Sequence, residues 1–283
     1  MFEAFSQQSS GHTGNQSHDW HHTGELALFT ARTPEAHIDG DAHHIFCDER
    51  VDMALSAVLR RRQLVLSTPE WKSVPWQRIP KNLKDILVDV LVDMPRLVED
   101  FDNMQQCTEE SKKETLRLAL IQKCWEHDGQ LSAWFGLLRQ VANASNTSRP
   151  ESRAKDVVTY VAQVHGMSLF WATSLILYSI LWMASGPQAD LPNRTDPMQH
   201  AHRLVQAVAI LLQPNAGLYG QQSAWLLLEV CRHFVTAGIT STHESEMLLE
   251  TLERLKDGLG NGLTRMLNTN LVDQNVAIEV TST

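Results

Sequence analysis

The sequence is poor in cysteine, and this scarcity argues against two common classes of protein. Its 283 residues include four cysteines, Cys47, Cys107, Cys124 and Cys231, and no two of them form a Cys-x-x-Cys pair. A zinc finger needs closely spaced ligand pairs, and a small secreted scaffold needs many disulfides, so the sequence favours neither. We predict reduced thiols that are mostly buried.

The sequence also lacks a secretion signal and an anchored membrane span. Its first residues, MFEAFSQQSSGHTGNQSHDWHH, contain no basic stretch followed by an apolar run, which favours an intracellular protein. The most apolar segment, Met167 to Ala184, approaches the roughly 18 residues that a span requires. Because Thr173, Ser174 and Ser179 interrupt this segment and no Lys or Arg flanks it closely, we predict a central buried helix and no membrane contact.

Positive charge is scarce too. The formal net charge is −9 and the isoelectric point is near 5.8, so most of the surface repels phosphate and we expect no direct nucleic-acid contact. The one basic cluster is Arg60, Arg61 and Arg62. Together with Arg50 and Lys72 it could form a phosphate-binding patch, but cations at the end of a helix that compensate its dipole are the more ordinary interpretation.

Strand alternation, internal repeats and the common catalytic motifs are all absent. There is no Gly-x-Ser-x-Gly elbow, Walker loop, His-Glu-x-x-His or Rossmann glycine pattern, so a hydrolase or a nucleotide-dependent enzyme has no support. The prevailing apolar spacing of three and four residues predicts an all-α protein. We predict one multi-helix globular domain over residues 41–260, after an irregular leader at 1–40 rich in His, Ser and Gly, and before a ragged tail at 261–283.

Several helices can be placed from their apolar stripes. One begins near Gly40 and ends at the three arginines, with inward positions at Ile45, Phe46, Val51, Ala54, Leu55, Val58 and Leu59. Another starts near Leu83 and is kinked or ended by Pro95. A long helix runs from Glu109 to Leu138, with inward positions at Leu116, Leu120, Ile121, Cys124, Leu131, Phe135 and Leu138. Polar loops are predicted at 141–155 and 185–197, and further helices at 198–212, 220–235 and 243–259.

Two residue clusters resemble metal sites, but we predict no metal and no cofactor. Seven of the 13 histidines precede residue 45, among them His18, His21, His22, His37, His43 and His44. His-x-x-His spacing can chelate a metal, yet a Gly- and Ser-rich leader provides no second shell, so adventitious binding or plain solvation is favoured. Asp85, Asp89 and Asp93 could imitate the magnesium-binding helix of an isoprenoid-processing enzyme, but they lie opposite an apolar stripe and predict a solvated face.

A ligand pocket is a weaker hypothesis. We selected polar or aromatic groups set on otherwise apolar helices, namely Trp71, Trp76, Trp125, His127, His165 and Trp171. Core packing at a helix junction is the competing interpretation for the first two tryptophans. Glu126, His127 and Asp128 form a tempting cluster, but adjacent residues diverge on a helix and cannot act together. No catalytic residue is predicted.

The stretch Leu59 to Trp76, LRRRQLVLSTPEWKSVPW, is the most informative motif. Thr68 can cap a helix, Pro69 suits its first position, and Glu70 favours the positive end of its dipole. This stretch resembles the C-terminal regulatory region of fungal binuclear zinc-cluster transcription factors. The segments DILVDVLVDMPRLVEDFD, CWEHDGQLSAWF, SLFWATSLILYSIL and LLQPNAGLYGQQSAWLLLEVCRHF follow in that family's order, so the likeness extends over about residues 30–255.

The resemblance implies a transcription-regulator-like helical domain, in the nucleus or cytoplasm, connected with a fungal specialised-metabolite gene cluster. Family members read DNA through six cysteines that hold two zincs, and this chain lacks that module. The resemblance therefore implies action through a protein partner such as a DNA-binding regulator, with a small-molecule effector and a homodimer as further expectations. The alternative is a pathway enzyme, a cyclase or isomerase, built on the same helical scaffold.

Overall fold

A computed structural model describes residues 31–145, 153–237, 243 and 245–258. Within these ranges the protein contains helices and no strand, which confirms the all-α prediction. The helices are α1 Gly40–Leu59, α2 Pro69–Ser73, α3 Leu83–Leu91, α4 Met94–Gln106, α5 Glu110–Ser145, α6 Arg153–Ser185, α7 Pro197–Leu211 and α8 Gly217–Thr236. Residues 245–258 add a further helical segment, and the 3-10 turns are Pro34–His37, Val65–Ser67, Val74–Trp76, Asn193–Thr195 and Pro214–Ala216.

Helix α6 forms the centre of a single hydrophobic core. It packs against α4, α5, α7 and α8, and its residues from Leu175 to Leu181 are all buried. By length and composition it could cross a membrane, but 72% of its most apolar 18-residue window is buried inside the protein. The burial explains why the apolar run is tolerated, and the prediction of a central buried helix is confirmed.

Helices α5 and α6 form a long antiparallel hairpin. At one end, a guanidinium nitrogen of Arg117 lies 3.2 Å from the carbonyl oxygen of Ala184. Farther along, the rings of Trp134 and Phe170 stack with centroids 5.3 Å apart. The two helices therefore stay in contact over much of their length, and their far ends lie at residues 135–145 and 153–165.

The helix signals predicted between α2 and α4 are confirmed at Pro69 and Pro95 but not at Thr68. Pro69 occupies the first turn of α2 after Thr68, although the Thr68 side chain makes no capping hydrogen bond. Asn82 and Asp85 form a capping box at the start of α3. Helix α3 ends at Leu91 and α4 begins at Met94, so the predicted break is confirmed, and Pro95 lies in the first turn of the second helix.

The helix limits correct one prediction in part. The segment 141–155 was predicted to be a loop, but α5 continues to Ser145 and α6 already begins at Arg153. The residues after Leu138 contain no Pro or Gly before Pro150, so nothing in their backbone stops the helix earlier. The predicted loop at 185–197 is confirmed, because α6 ends at Ser185 and α7 begins at Pro197.

Two side chains predicted to face inward are exposed instead. Ile45 lies in the second turn of α1, where the inward positions are taken by His43 and Phe46. Phe135 lies on the outer edge of the hairpin and stacks on Phe170, with centroids 5.4 Å apart. In both helices the predicted apolar stripe exists, but it does not bury every apolar residue that has the right spacing.

The predicted leader and tail fall mainly outside the described residues. Residues 1–30 and 259–283, including His18, His21 and His22, are not described. Pro34–His37, which the sequence placed in the leader, forms a 3-10 turn with His37 buried, so the globular domain begins before α1. Of the predicted last helix at 243–259, the structure describes residues 245–258 as helical.

Candidate functional site

The acidic side chains of α3 and its C-terminal end do not form a solvated face, which corrects the sequence prediction. Asp85 is buried and belongs to the capping box, while Asp89 and Asp93 are only partly exposed. Basic groups from other elements cover them. Lys81 pairs with Asp89, and both oxygens of Asp93 lie 2.6 Å from the ammonium of Lys72.

Arg50 is the most deeply buried of these basic groups. Its Nη2 atom donates to Oδ1 of Asp89 at 2.5 Å, and its guanidinium lies over the rings of Phe46 and Trp76, 5.4 and 5.2 Å from their centroids. The Nε and Nη1 atoms have no hydrogen-bond partner, so the two ring faces cover the rest of the guanidinium. Since Arg50 and Lys72 are both engaged in ion pairs inside the fold, neither extends the arginine cluster into a phosphate-binding patch.

The arginine cluster itself closes α1. Arg60 is the C-cap and partly buried, Arg61 has a positive φ of 56°, and Arg62 is exposed. The guanidinium of Arg61 donates two hydrogen bonds, of 2.7 and 2.5 Å, to the carboxylate of Asp102. The central charge of the cluster is therefore compensated by α4.

Trp71 and Trp76 belong to one packed aromatic cluster. The ring centroid of Phe46 lies 5.6 Å from that of Trp71 and 6.4 Å from that of Trp76. Two histidine rings complete the group: His37 lies 5.6 Å from Trp71, and His43 lies 4.9 Å from Trp76. The His43 ring donates from Nδ1 to the carbonyl oxygen of His37 at 2.9 Å. Sequence reasoning missed both histidines because their polar, His-rich context concealed that they are core residues.

The other four predicted pocket residues have different surroundings. His165 is buried on α6, where burial, reinforced by Lys84, lowers the pKa of its imidazole to about 4. Trp171 is partly buried on the same helix. Trp125 lies beneath the guanidinium of Arg194 at 5.9 Å, and His127 faces α4. The structure thus brings two of the six together, Trp71 and Trp76.

A second buried polar cluster links α5, α6 and the loop after α6. The hydroxyl of Tyr178 donates to Oδ1 of Asp128 at 2.8 Å, and Arg194 binds both oxygens of the same carboxylate. Burial and this carboxylate raise the pKa of Tyr178, so the phenol stays protonated. His200 packs against Tyr178, with centroids 5.0 Å apart. The expected divergence of Glu126, His127 and Asp128 is confirmed, since Glu126 is exposed and Asp128 is buried in this cluster.

An open groove of about 240 Å³ runs between α4 and α5. It is lined by Asp93, Arg96, Leu97 and Asp100 from the end of α3 and from α4, and by Lys123 and His127 from α5. The spacings i, i+3, i+4, i+7 and i, i+4 place each set on one helix face. Lys123 donates to Asp100 at 2.7 Å, and Nδ1 of His127 lies 4.0 Å from Asp93. His127 was selected from the sequence, but its groove partners were not.

The far end of the hairpin presents apolar side chains to solvent. We call this end of the hairpin the hairpin tip and define it by Phe135, Leu137, Val141 and Tyr160, which are 39, 42, 50 and 48% exposed. Leu137 and Val141 share one face of α5, and Phe135 lies on another. Residues 130–143 and 159–185 contain a single charged side chain, Arg139, in a protein of which 20% of residues are charged. The charged residues at this end of the hairpin, Arg149, Glu151, Arg153, Lys155 and Asp156, lie in the segment that connects these two ranges.

Within the described part of the chain, no group of three or more His, Cys, Asp or Glu side chains is placed to hold a metal ion. The four cysteines are free thiols, with Cys124 and Cys231 buried and Cys47 and Cys107 partly so. Comparisons with protein-family models, with curated proteins and with solved structures gave no match.

Proposed function

We propose that this chain is a transcription-regulator-like helical domain that acts by binding a protein partner through the hairpin tip. The observation that carries the proposal is the exposure of the apolar side chains Phe135, Leu137, Val141 and Tyr160 on the described parts of the hairpin. Protein interfaces are depleted of charge at their centres and enriched in aromatic side chains. Leu137 and Val141, four residues apart, share one face of α5, so we propose that the contact centres on these two side chains.

The partner that we propose is a DNA-binding regulator. The net charge of −9 disfavours direct contact with phosphate, and the central arginine of the basic cluster is engaged with Asp102. In this proposal the partner protein makes the contact with DNA. The ordered motifs that resemble fungal zinc-cluster regulators support this role, an intracellular location, and a connection with a specialised-metabolite gene cluster. A small-molecule effector that modulates the contact is part of the proposal.

The proposal is tested by affinity capture of the full-length chain from a fungal extract, with bound proteins identified by mass spectrometry. The wild type is compared with the double variant Leu137→Glu/Val141→Glu, whose positions are four residues apart on one face of α5. Leu118→Glu is the matched control, because Leu118 is 55% exposed on the same helix but lies at its charged end.

Three outcomes decide the matter. Recovery of a protein with its own DNA-binding module, lost in the double variant and kept in Leu118→Glu, supports the proposal. Light scattering tests whether a second copy of this chain occupies the tip. A doubled mass for the wild type, and a single mass for the double variant, would overturn the choice of a heterologous partner. Recovery of a stoichiometric metabolite with no protein partner overturns the proposal in favour of a pathway enzyme or ligand carrier.

A further inference from the structure

Both helices of the hairpin contain glycines that packing does not require. A Cβ atom added at Gly129 or Gly136 of α5, or at Gly166 of α6, would meet no heavy atom within 4 Å outside the local helix backbone. Gly220 of α8 is different, because a Cβ atom there would overlap the carbonyl oxygen of Leu211. A glycine inside a helix destabilises that helix relative to alanine. The three hairpin glycines therefore weaken α5 and α6 without improving their packing.

Gly136 and Gly166 lie at nearly the same level of the hairpin. The helices are antiparallel, and the stacked rings of Trp134 and Phe170 mark one level at which they meet. Gly136 follows Trp134 by two residues, and Gly166 precedes Phe170 by four. In this register the two glycines are about two residues apart along the hairpin, which is about 3 Å of helix rise. A bend in either helix at this level therefore meets a weakened turn of the other.

The same level separates a densely packed part of the hairpin from a sparsely packed part. On the core side, every residue of α6 from Ala172 to Leu181 is buried. On the other side, no side chain of residues 135–143 is buried, and among residues 159–165 only Val161 and His165 are buried. The outer part of the hairpin is therefore held less firmly by packing than the part that crosses the core.

We propose that Gly136 and Gly166 form a hinge at which the outer part of the hairpin bends relative to the core. A helix bends where its hydrogen bonds open most easily, and hinges often lie at small residues. Because both helices carry a glycine at this level, neither has to bend against an intact turn of the other. Bending of this kind belongs to the microsecond-to-millisecond range of collective hinge motions.

The hinge sets the orientation of the surface that the proposed function assigns to the partner. Leu137, Val141 and Tyr160 lie beyond the two glycines, whereas Phe135 stacks on Phe170 on the core side. A partner that binds one orientation of the outer part more tightly selects it from those present in the free protein. This use of the hinge rests on the proposed function, but the bending itself does not.

The bending is measured by double electron-electron resonance between spin labels on the full-length chain. The outer pair, Gln122→Cys/Gln140→Cys, spans the hinge, and the reference pair, Thr115→Cys/Ala133→Cys, lies on its core side. In both pairs the two positions are exposed on α5 and 18 residues apart, so a straight helix places their backbones about 27 Å apart on one face. Both pairs are made in a Cys107→Ser background, because burial raises the pKa of the other three thiols to about 12 and limits their labelling.

We expect a broader distance distribution for the outer pair than for the reference pair. Gly136→Ala/Gly166→Ala should narrow the outer distribution to the width of the reference pair, because alanine strengthens both helices at the hinge. Gly129→Ala is the matched control, since it makes the same change in open space on α5 but on the core side of the hinge, and it should leave the outer width unchanged. All three added methyl groups have room, so these variants should fold as the wild type does.

Three results would each overturn the inference. The first is equal widths for the two pairs in the wild type, and the second is an outer width that Gly136→Ala/Gly166→Ala leaves unchanged. The third is equal narrowing by Gly129→Ala, which would indicate a general gain in helix stability instead of a hinge.

The test is separable from that of the proposed function. If the outer pair alone is broad and affinity capture recovers no partner, the hinge stands and the proposed function fails. If the partner is recovered and both pairs are equally narrow, the hinge inference alone fails.

Discussion

The fully buried guanidinium of Arg50 lies 2.5 Å from a carboxylate oxygen of Asp89, and this ion pair joins α1 to α3. Because Phe46 and Trp76 cover the guanidinium, the charge has little access to water. A buried ion pair adds little net stability when intact, but breaking it leaves an uncompensated charge in the interior. The contact therefore enforces one relative placement of these two helices.

We expect Asp89→Asn to lower the free energy of unfolding by about 3 kcal/mol, because the variant leaves the Arg50 charge buried without its counter-ion. Asp48→Asn is the control, since Asp48 is exposed and pairs with Lys84 at 3.2 Å, and it should cost less than about 0.5 kcal/mol. Urea unfolding followed by circular dichroism measures both. Equal effects of the two substitutions would contradict the role assigned to Arg50.

Tyr178→Phe should destabilise the protein by about 1–2 kcal/mol, because the buried Asp128 carboxylate then loses the phenol hydroxyl that donates to it. Tyr160→Phe makes the same chemical change at the exposed hairpin tip and should leave the free energy of unfolding within about 0.5 kcal/mol of the wild type. Thermal unfolding of the two variants, measured side by side, separates a buried hydrogen bond from a general effect of losing a tyrosine hydroxyl.

The local signals of the fold could be read from the sequence, whereas the contacts between helices could not. Pro69, Asn82 and Pro95 mark helix limits through backbone properties that are local to the chain. The environment of Asp89 depends on Arg50, which is 39 residues away, and no periodicity indicates such a pair. Helical spacing showed correctly that these carboxylates lie opposite an apolar stripe, but not that another helix covers them.

In the candidate site, too, the sequence indicated single residues but not the contacts between helices. His127 stood out as a polar residue on an apolar helix, and it does line a groove. Asp93, Asp100 and Lys123 carry no comparable signal, because only the packing of α4 on α5 brings them together with His127. The hairpin tip was also hidden. Phe135 fits the apolar stripe of α5, and only the position of α6 shows that this ring remains on the surface.

Stability should fall with pH below neutrality, in part through His165. The pKa of this buried imidazole is lowered from 6.5 to about 4, so between these values the unfolded chain binds more protons than the folded one. The contribution is complete above about pH 6.5 and is lost as the pH falls through about 4, with an upper limit on the order of 3 kcal/mol.

Urea unfolding from pH 4 to 7 measures this dependence. We expect His165→Asn to reduce the slope of the unfolding free energy against pH in that interval, whatever its effect on stability at pH 7. His44→Asn, at an exposed position of α1, should keep the wild-type slope. An unchanged slope in His165→Asn would show that the imidazole is not held neutral by burial.

Alkylation should distinguish the cysteines. Burial raises the pKa of Cys124 and Cys231 to about 12, and the partly buried Cys47 reaches a similar value through burial and the charge of Asp85. At pH 8 these thiols carry little thiolate, the reactive form. Iodoacetamide should therefore modify Cys107 first in the native protein and all four after unfolding, as measured by peptide mass spectrometry. Rapid native modification of Cys231 would contradict the packing of α8.

The most direct measurement of the central claim is site-specific photocrosslinking at the hairpin tip. Benzoylphenylalanine is incorporated in place of Leu137, and in a parallel protein in place of Leu118, which is similarly exposed at the charged end of α5. We predict that irradiation in a fungal extract links position 137, and not position 118, to a protein with its own DNA-binding module. Equal crosslinking at both positions, or none at 137, would contradict the assignment of the hairpin tip as the partner-binding surface.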